Sequence, residues 1–223
     1  SPQINAALKS AGIESTFIGG FRVTTPETFE IVERVLSNEV GPEVASTLTK
    51  SGVAALAISG RHSGTIFAKR QKTLVNGESA DLGLVGEVEK VDPTAIEVLL
   101  EKGVVPVISP VANDLESNGG LNVNADIAAA AVAGALSAKE LIIMTDVPGI
   151  YRNWPDKDSL IDAICSEELE SIKATFAEGM APKVQACLDA IKAGATAVRI
   201  IDGTNPEAFA QALAHTGGTL VVA

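Results

Sequence analysis

The chain has 223 residues, 46% of them hydrophobic, which is enough to build a packed core and weighs against disorder. Its 28 Asp and Glu outnumber 17 Lys and Arg, for a net charge of -11, and this excludes nucleic acid and anionic membrane surfaces as partners because both demand clustered cations. An anionic ligand must instead be met locally by a few chosen Lys, Arg and backbone N–H groups.

The opening residues, Ser1-Pro2-Gln3-Ile4-Asn5, carry no basic leader, and no apolar run reaches the ~18 residues of a membrane span. Thr25 is placed to cap a helix over 26–36 that opens on Pro26. A short apolar run at 53–58 reads as a strand, followed by Gly60-Arg61-His62-Ser63-Gly64. Between 73 and 89, alternating segments flank Asn76-Gly77, the strongest two-residue hairpin signal, so an antiparallel hairpin is expected to project there. A helix over 93–102 stops at Gly103, and a strand follows at 104–108. The Ala-rich segment 126–136 is nearly apolar and predicts a buried helix. A strand at 141–144, a capping-box helix start at 166–170, a helix over 182–193 ended by Gly194, and strands at 197–201 and 219–222 complete the pattern. The strands are rich in Val and Ile, as expected of strands buried on both faces, and their alternation with helices argues an α/β fold with a mostly parallel sheet. Cys165 and Cys187 have no metal spacing and read as small buried hydrophobes, and the whole reads as a soluble cytoplasmic protein.

Four segments carry candidate chemistry. In Asn122-Val123-Asn124-Ala125-Asp126 the extended-chain period of two puts Asn122, Asn124 and Asp126 on one side, beside an otherwise apolar helix. A single cap and turn would account for one of them but not all three. In Gly179-Met180-Ala181-Pro182-Lys183, Pro182 suits the first helical position, so Lys183 falls in the first turn. A cation there opposes the helix dipole at a cost of up to ~1 kcal/mol. Either Lys183 is a solvated lysine, or it shares an anion with the helix N-terminus. In Gly19-Gly20-Phe21-Arg22, Arg22 has the planar fork that grips a carboxylate, although a surface arginine fits equally well. Thr145-Asp146-Val147-Pro148-Gly149-Ile150-Tyr151 follows a strand at its carboxyl edge, where α/β folds bind ligands; a plain Pro-Gly turn is the alternative.

Taken together with Gly83-Leu84-Val85-Gly86-Glu87-Val88 and Ile200-Ile201-Asp202-Gly203, these segments resemble the amino-acid kinase family, and within it the N-acetylglutamate kinases of actinobacterial type, whose form the insert Arg152-Asn153-Trp154-Pro155-Asp156-Lys157-Asp158 matches. The resemblance implies a three-layer αβα sandwich around an open, mainly parallel sheet. Residues 1–134 would form an N-lobe that binds the acylated amino acid and dimerises, and residues 135–223 a C-lobe that binds nucleotide. It also implies ATP-dependent phosphorylation of the side-chain carboxylate of N-acetyl-L-glutamate in arginine biosynthesis. Arg22, Asn122 and Asn124 would hold the substrate, Asp126 would organise the reacting centre, and Lys183 would neutralise the moving phosphoryl group. Asp146, Gly149, Tyr151, Gly179 and Met180 would lie along ATP, with Mg²⁺ held through its phosphates and not by protein side chains alone. A homodimer or hexamer is implied, with room for a regulatory protein partner. Another carboxylate substrate, such as a carrier-bound aminoadipate, or a non-catalytic nucleotide-binding role remains an alternative. Family members carry a Lys-x-Gly-Gly strand end and a glycine triplet just before Pro-Gln-Ile. Ser1 stands at that place here, so the second catalytic lysine and the γ-phosphate loop either precede it in a longer protein, which the abrupt start inside a motif favours, or are lost in a truncated product.

Overall fold

Helix α1 (Pro2–Ser10) buries Ile4 and Leu8, one turn apart, against Val32 and Val35 of the next helical segment. The short strands β1 (Phe17–Ile18) and β2 (Phe21–Arg22) form an antiparallel pair. Helix α2 (Pro26–Arg34) starts as its sequence dictates, with Thr25 Oγ1 accepting from the Thr28 N–H at 3.2 Å. It does not run to residue 36 in α form. The Val35–Val40 segment is π-helical and leads directly into α3 (Gly41–Lys50). These elements belong to the first of two units, Ser1–Ala128 and Ala129–Ala223, in a computed structural model that describes residues 1–74, 76–176 and 180–223.

The expected strands of the first unit are present. Strand β3 (Ala55–Ser59) pairs in parallel with β6 (Val105–Ser109), and α4 (Thr94–Glu101) precedes β6. Neither strand is buried on both faces as its composition predicted: Leu56 is 50% and Val105 40% exposed. The hairpin is longer than expected. Strand β4 (Ile66–Arg70) pairs antiparallel with β5 (Val85–Val91), and a Thr73–Ser79 bridge leads to the Asn76-Gly77 tip. The hairpin also does more than project. β5 pairs with β8 (Gly120–Val123), β8 with β7 (Val111–Asp114), and β7 with β4, which closes a four-stranded barrel. Gly86 permits this closure, since a Cβ there would lie 2.9 Å from the Leu121 Cβ and 3.0 Å from the Ala68 Cβ.

Helix α5 (Ala125–Ala135) contains the boundary between the units, which falls at Ala128/Ala129 where the sequence placed it at 134/135. Its composition predicted full burial, yet only Ala128, Ala130, Ala133 and Gly134 are buried. In the second unit, β9 (Leu141–Thr145) lies parallel to β11 (Ala197–Asp202). Strand β12 (Thr219–Val222) is antiparallel to β11 and parallel to β10 (Ala163–Cys165). Helices α6 (Ser166–Ile172), α7 (Ala181–Lys192) and α8 (Pro206–Leu213) complete it. The core gathers Ile143, Ile150, Leu169, Val184, Cys187, Ile200 and Val221. The architecture is α/β with parallel strand pairs in both units, as expected. The capping box at Ser166 does not form: Ser166 is already helical, and Cys165 occupies the cap position without a side-chain bond. Cys165 is exposed, not buried as its composition suggested, whereas Cys187 is buried. No helix among the described residues is long and apolar enough to cross a membrane.

Candidate functional site

The first candidate site is a cavity of about 210 Å³ in the first unit, and Arg22, Asn122 and Asn124 all line it. Arg22 comes from the end of β2, Asn122 from the barrel strand β8, and Asn124 from the turn into α5. The turn itself explains the last two. Asn124 Oδ1 accepts from the Asp126 and Ile127 N–H groups at 2.9 and 3.3 Å, which caps α5 and leaves Nδ2 as the donor of a residue that lines the cavity. Asn122 Nδ2 donates to Thr24 Oγ1 at 3.1 Å, and that hydroxyl donates in turn to the Arg22 carbonyl at 2.8 Å. The Asn122 side-chain oxygen therefore remains as an acceptor.

Arg22 is only 8% exposed. Its guanidinium donates to Asn5 Oδ1 at 2.8 Å and to Ser15 Oγ, and it lies over the Phe17 ring, 4.6 Å from the centroid. All three partners are neutral, and no ion pair to Arg22 exists among the described residues. Burial pushes its pKa below the ordinary arginine value, yet an arginine stays charged at neutral pH. The other deeply buried arginine makes the contrast. Arg199, 3% exposed on β11, donates through Nε to Glu140 Oε1 at 2.7 Å and through Nη1 to the Gly217 carbonyl at 2.7 Å. A buried charge without a counter-charge is costly. Arg199 carries its own internal counterion, whereas the charge of Arg22 meets only neutral hydrogen-bond partners and borders the cavity. Asp126 is half-buried in the first turn of α5, where a carboxylate is favoured by the helix dipole.

The second candidate site is a cavity of about 570 Å³ in the second unit. Asp146, Tyr151, Met180 and Lys183 line it, four of the residues singled out from the sequence. Lys183 is the third residue of α7, because the helix begins at Ala181, one position before Pro182. Gly149 is not among the lining residues. It is buried against β12, where a Cβ would stand 2.4 Å from Thr219 Oγ1. That hydroxyl accepts from the Ile150 N–H at 2.8 Å and donates to the Ile161 carbonyl at 2.5 Å, so Gly149 shapes the turn that carries Tyr151. Gly179 lies outside the described residues. The sequence reading missed Arg152, Asn153, Trp154, Thr175 and Phe176, which also line the cavity. Of these, Trp154 had a visible signal as a lone tryptophan in a polar insert.

The weaker motif Gly60-Arg61-His62-Ser63-Gly64 proves structural. Arg61 Nη1 bridges both Glu33 carboxylate oxygens at 3.0 Å, and His62 lies 3.7 Å from the same group. His215 Nδ1 stands 3.1 Å from Glu140 Oε2.

Comparison with known proteins identifies the family. The profile of the amino acid kinase family matches residues 1–202. The chain is 47% identical over 217 residues to the acetylglutamate kinase of Paenarthrobacter aurescens, covering 93% of this chain and 69% of that enzyme. It is 43% identical to the acetylglutamate kinase of Corynebacterium jeikeium, covering 97% of this chain and 68% of that enzyme. Among solved structures, smu.665 of Streptococcus mutans superposes with a TM-score of 0.80 at 27% identity, covering 100% of this chain and 82% of that one. Giardia carbamate kinase shares the fold, with a TM-score of 0.68 at 16% identity, covering 99% of this chain and 80% of that one. On the family profile and on relatives of this identity and coverage, the chain belongs to the amino acid kinase family.

Proposed function

We propose that the protein transfers the γ-phosphoryl group of ATP to the side-chain carboxylate of N-acetyl-L-glutamate, giving the acyl phosphate and ADP, as a step of arginine biosynthesis. The observation that carries this reading is Arg22, buried with neutral partners only, in one small cavity with Asn122 and Asn124. A guanidinium fork suits an α-carboxylate. The free Asn122 oxygen suits an amide N–H, and the free Asn124 amide suits a carbonyl or carboxylate oxygen. An N-acylated amino acid offers all three groups, and the acetylglutamate kinases similar to this chain act on one.

A side-chain carboxylate oxygen attacks the γ-phosphorus; the new O–P bond forms as the bond to the β-phosphate oxygen breaks, and ADP leaves. No proton has to be removed from the nucleophile, so the protein's part is positioning and charge neutralisation. Lys183, in the first turn of α7, supplies positive charge where a helix N-terminus already favours phosphate. Asp146, the carboxylate that lines the same cavity, would help hold the Mg²⁺ of the ATP complex, which would supply further neutralisation of phosphate charge. Asp126 serves the reacting centre from the first turn of α5. Self-association through α2 and the π-helical turn that follows it is part of the proposal, since Ile31 and Leu36 stay half-buried beside buried Phe29, Val32 and Val35. A cytoplasmic location goes with a substrate pair of ATP and a biosynthetic intermediate.

Trapping the product with hydroxylamine tests the reading. Hydroxamate should form with ATP, Mg²⁺ and N-acetyl-L-glutamate, and far less with free L-glutamate. Equal turnover of the free amino acid, or turnover only of a carrier-bound aminoadipate, would reject the substrate. No turnover of any carboxylate would reject the kinase.

A further inference from the structure

The segment after Tyr151 is a braced loop. Tyr151 and Leu160 form an antiparallel bridge, and the Arg152 N–H donates to the Ser159 carbonyl at 2.8 Å. The Asn153 N–H donates to Ser159 Oγ at 3.1 Å, and the Asp156 N–H donates to the Asn153 carbonyl at 2.8 Å. Arg152 is tied down separately, with Nη2 2.7 Å from Glu168 Oε1. Trp154 sits within this bracing, lines the 570 Å³ cavity, and is 63% exposed. Tyr151 meets it edge-on, with ring centroids 5.3 Å apart and planes at 65°. An edge contact orients an indole and leaves ring face uncovered.

A tryptophan held in place and left in water forfeits the burial that makes its surface favourable. The loop needs no such side chain for its own hydrogen bonds, which are backbone, Ser159, Asp156 or Glu168 contacts. The cavity it lines has an apolar complement in Phe176 and Met180 and a cationic one in Lys183. A ligand that satisfies both is flat and aromatic at one end and anionic at the other.

We propose that Trp154 is the stacking platform for the base of the nucleotide, with its indole face against a purine ring. The bicyclic indole matches a bicyclic base in extent, and the phosphate chain then runs toward Lys183. This rests on the reading of the cavity as the nucleotide site, and it adds a residue that decides which phosphate donors bind well. Trp154 touches the donor only, so it governs affinity for ATP and leaves the amino-acid substrate alone.

Trp154 is the only tryptophan in the chain, so its emission reports this position without labelling. ATP, ADP and tripolyphosphate are titrated into the wild-type protein while fluorescence is followed, and ATP affinity is measured by calorimetry for wild type, Trp154→Ala and Trp154→Phe. ATP and ADP should change the emission saturably and tripolyphosphate should not. Trp154→Ala should weaken ATP about tenfold or more, with Trp154→Phe recovering most of the loss. KM for ATP should rise in the Ala variant while KM for N-acetyl-L-glutamate stays within twofold. If Trp154→Ala fails to fold, the Phe variant and the wild-type titrations still decide. Calorimetric ATP binding with silent emission and an unchanged Kd in the variants overturns the platform and leaves the nucleotide site standing. An equal emission change with tripolyphosphate overturns it as well. No heat of ATP binding to the wild type overturns the nucleotide site and the platform with it.

Discussion

Asn122 and Thr24 stand 98 positions apart in the chain and 3.1 Å apart in the fold, joined by a hydrogen bond from Nδ2 to Oγ1. Thr24 is fully buried, and its hydroxyl also donates to the Arg22 carbonyl. One hydroxyl therefore sets both the register of the arginine and the orientation of the asparagine. Thr24→Val keeps the shape and deletes this link. It should destabilise the protein by about 1–3 kcal/mol, because a buried donor and acceptor lose their partner. KM for the amino-acid substrate should also rise. A urea melt and steady-state kinetics on the same variant check both, and an unchanged midpoint with unchanged KM would remove Thr24 from the site.

Arg22→Gln should raise KM for N-acetyl-L-glutamate roughly 10- to 100-fold, the loss expected when a charged hydrogen-bonding partner of a carboxylate is removed. Arg22→Lys should recover little of this, since an ammonium lacks the planar fork. KM for ATP should be unaffected in both. Kinetics with each substrate varied in turn separate the two cavities, and an Arg22→Lys enzyme of wild-type KM would show that the fork is not used.

Two glycines of the hairpin offer a paired test of packing. Gly83 has φ +68 and pairs with Thr24; a Cβ there would lie 2.3 Å from the Thr24 carbonyl oxygen. Gly77 has φ +85 and nothing within 4 Å. Both alanine variants incur ~1–2 kcal/mol of left-handed strain, but only Gly83→Ala adds a backbone clash. Gly83→Ala should therefore melt well below Gly77→Ala and bind the amino-acid substrate less tightly. Equal melting temperatures would refute the close approach.

Lys183→Ala should lower kcat about 10²–10³-fold, the usual loss of one preorganised group facing developing charge, with little change in KM for the amino-acid substrate. The fold should be intact or slightly more stable, since a first-turn lysine opposes the helix dipole. Kinetics and a thermal melt decide. A folded variant with kcat within a few-fold of wild type would leave Lys183 a solvated surface residue.

The central strands were legible because continuous Val- and Ile-rich runs between Gly and Pro carry their own signal. So was the α2 start, where the Thr25 cap and Pro26 act locally. The barrel was not legible. Strands β7 and β8 have four residues each, and their pairing depends on partners far along the chain. The surroundings of Gly149 were not legible for a related reason: nothing near it in sequence announces that Thr219 fills the space beside it.

The sequence by itself determined which chemistry was available: a forked cation after a glycine turn, two amides and a carboxylate around one helix start, a lysine in the first turn of another, and an ordered set of motifs that marks the family. Those are properties of residue type and short-range spacing, which local backbone preference converts directly into caps, turns and strands. Only the tertiary structure decided that Arg22 has neutral hydrogen-bond partners while Arg199 has Glu140, because counter-charge and burial are set by residues far along the chain. It also decided that Trp154, although exposed, borders a cavity beside Tyr151, since a cavity is bounded by side chains that meet only when the chain has folded.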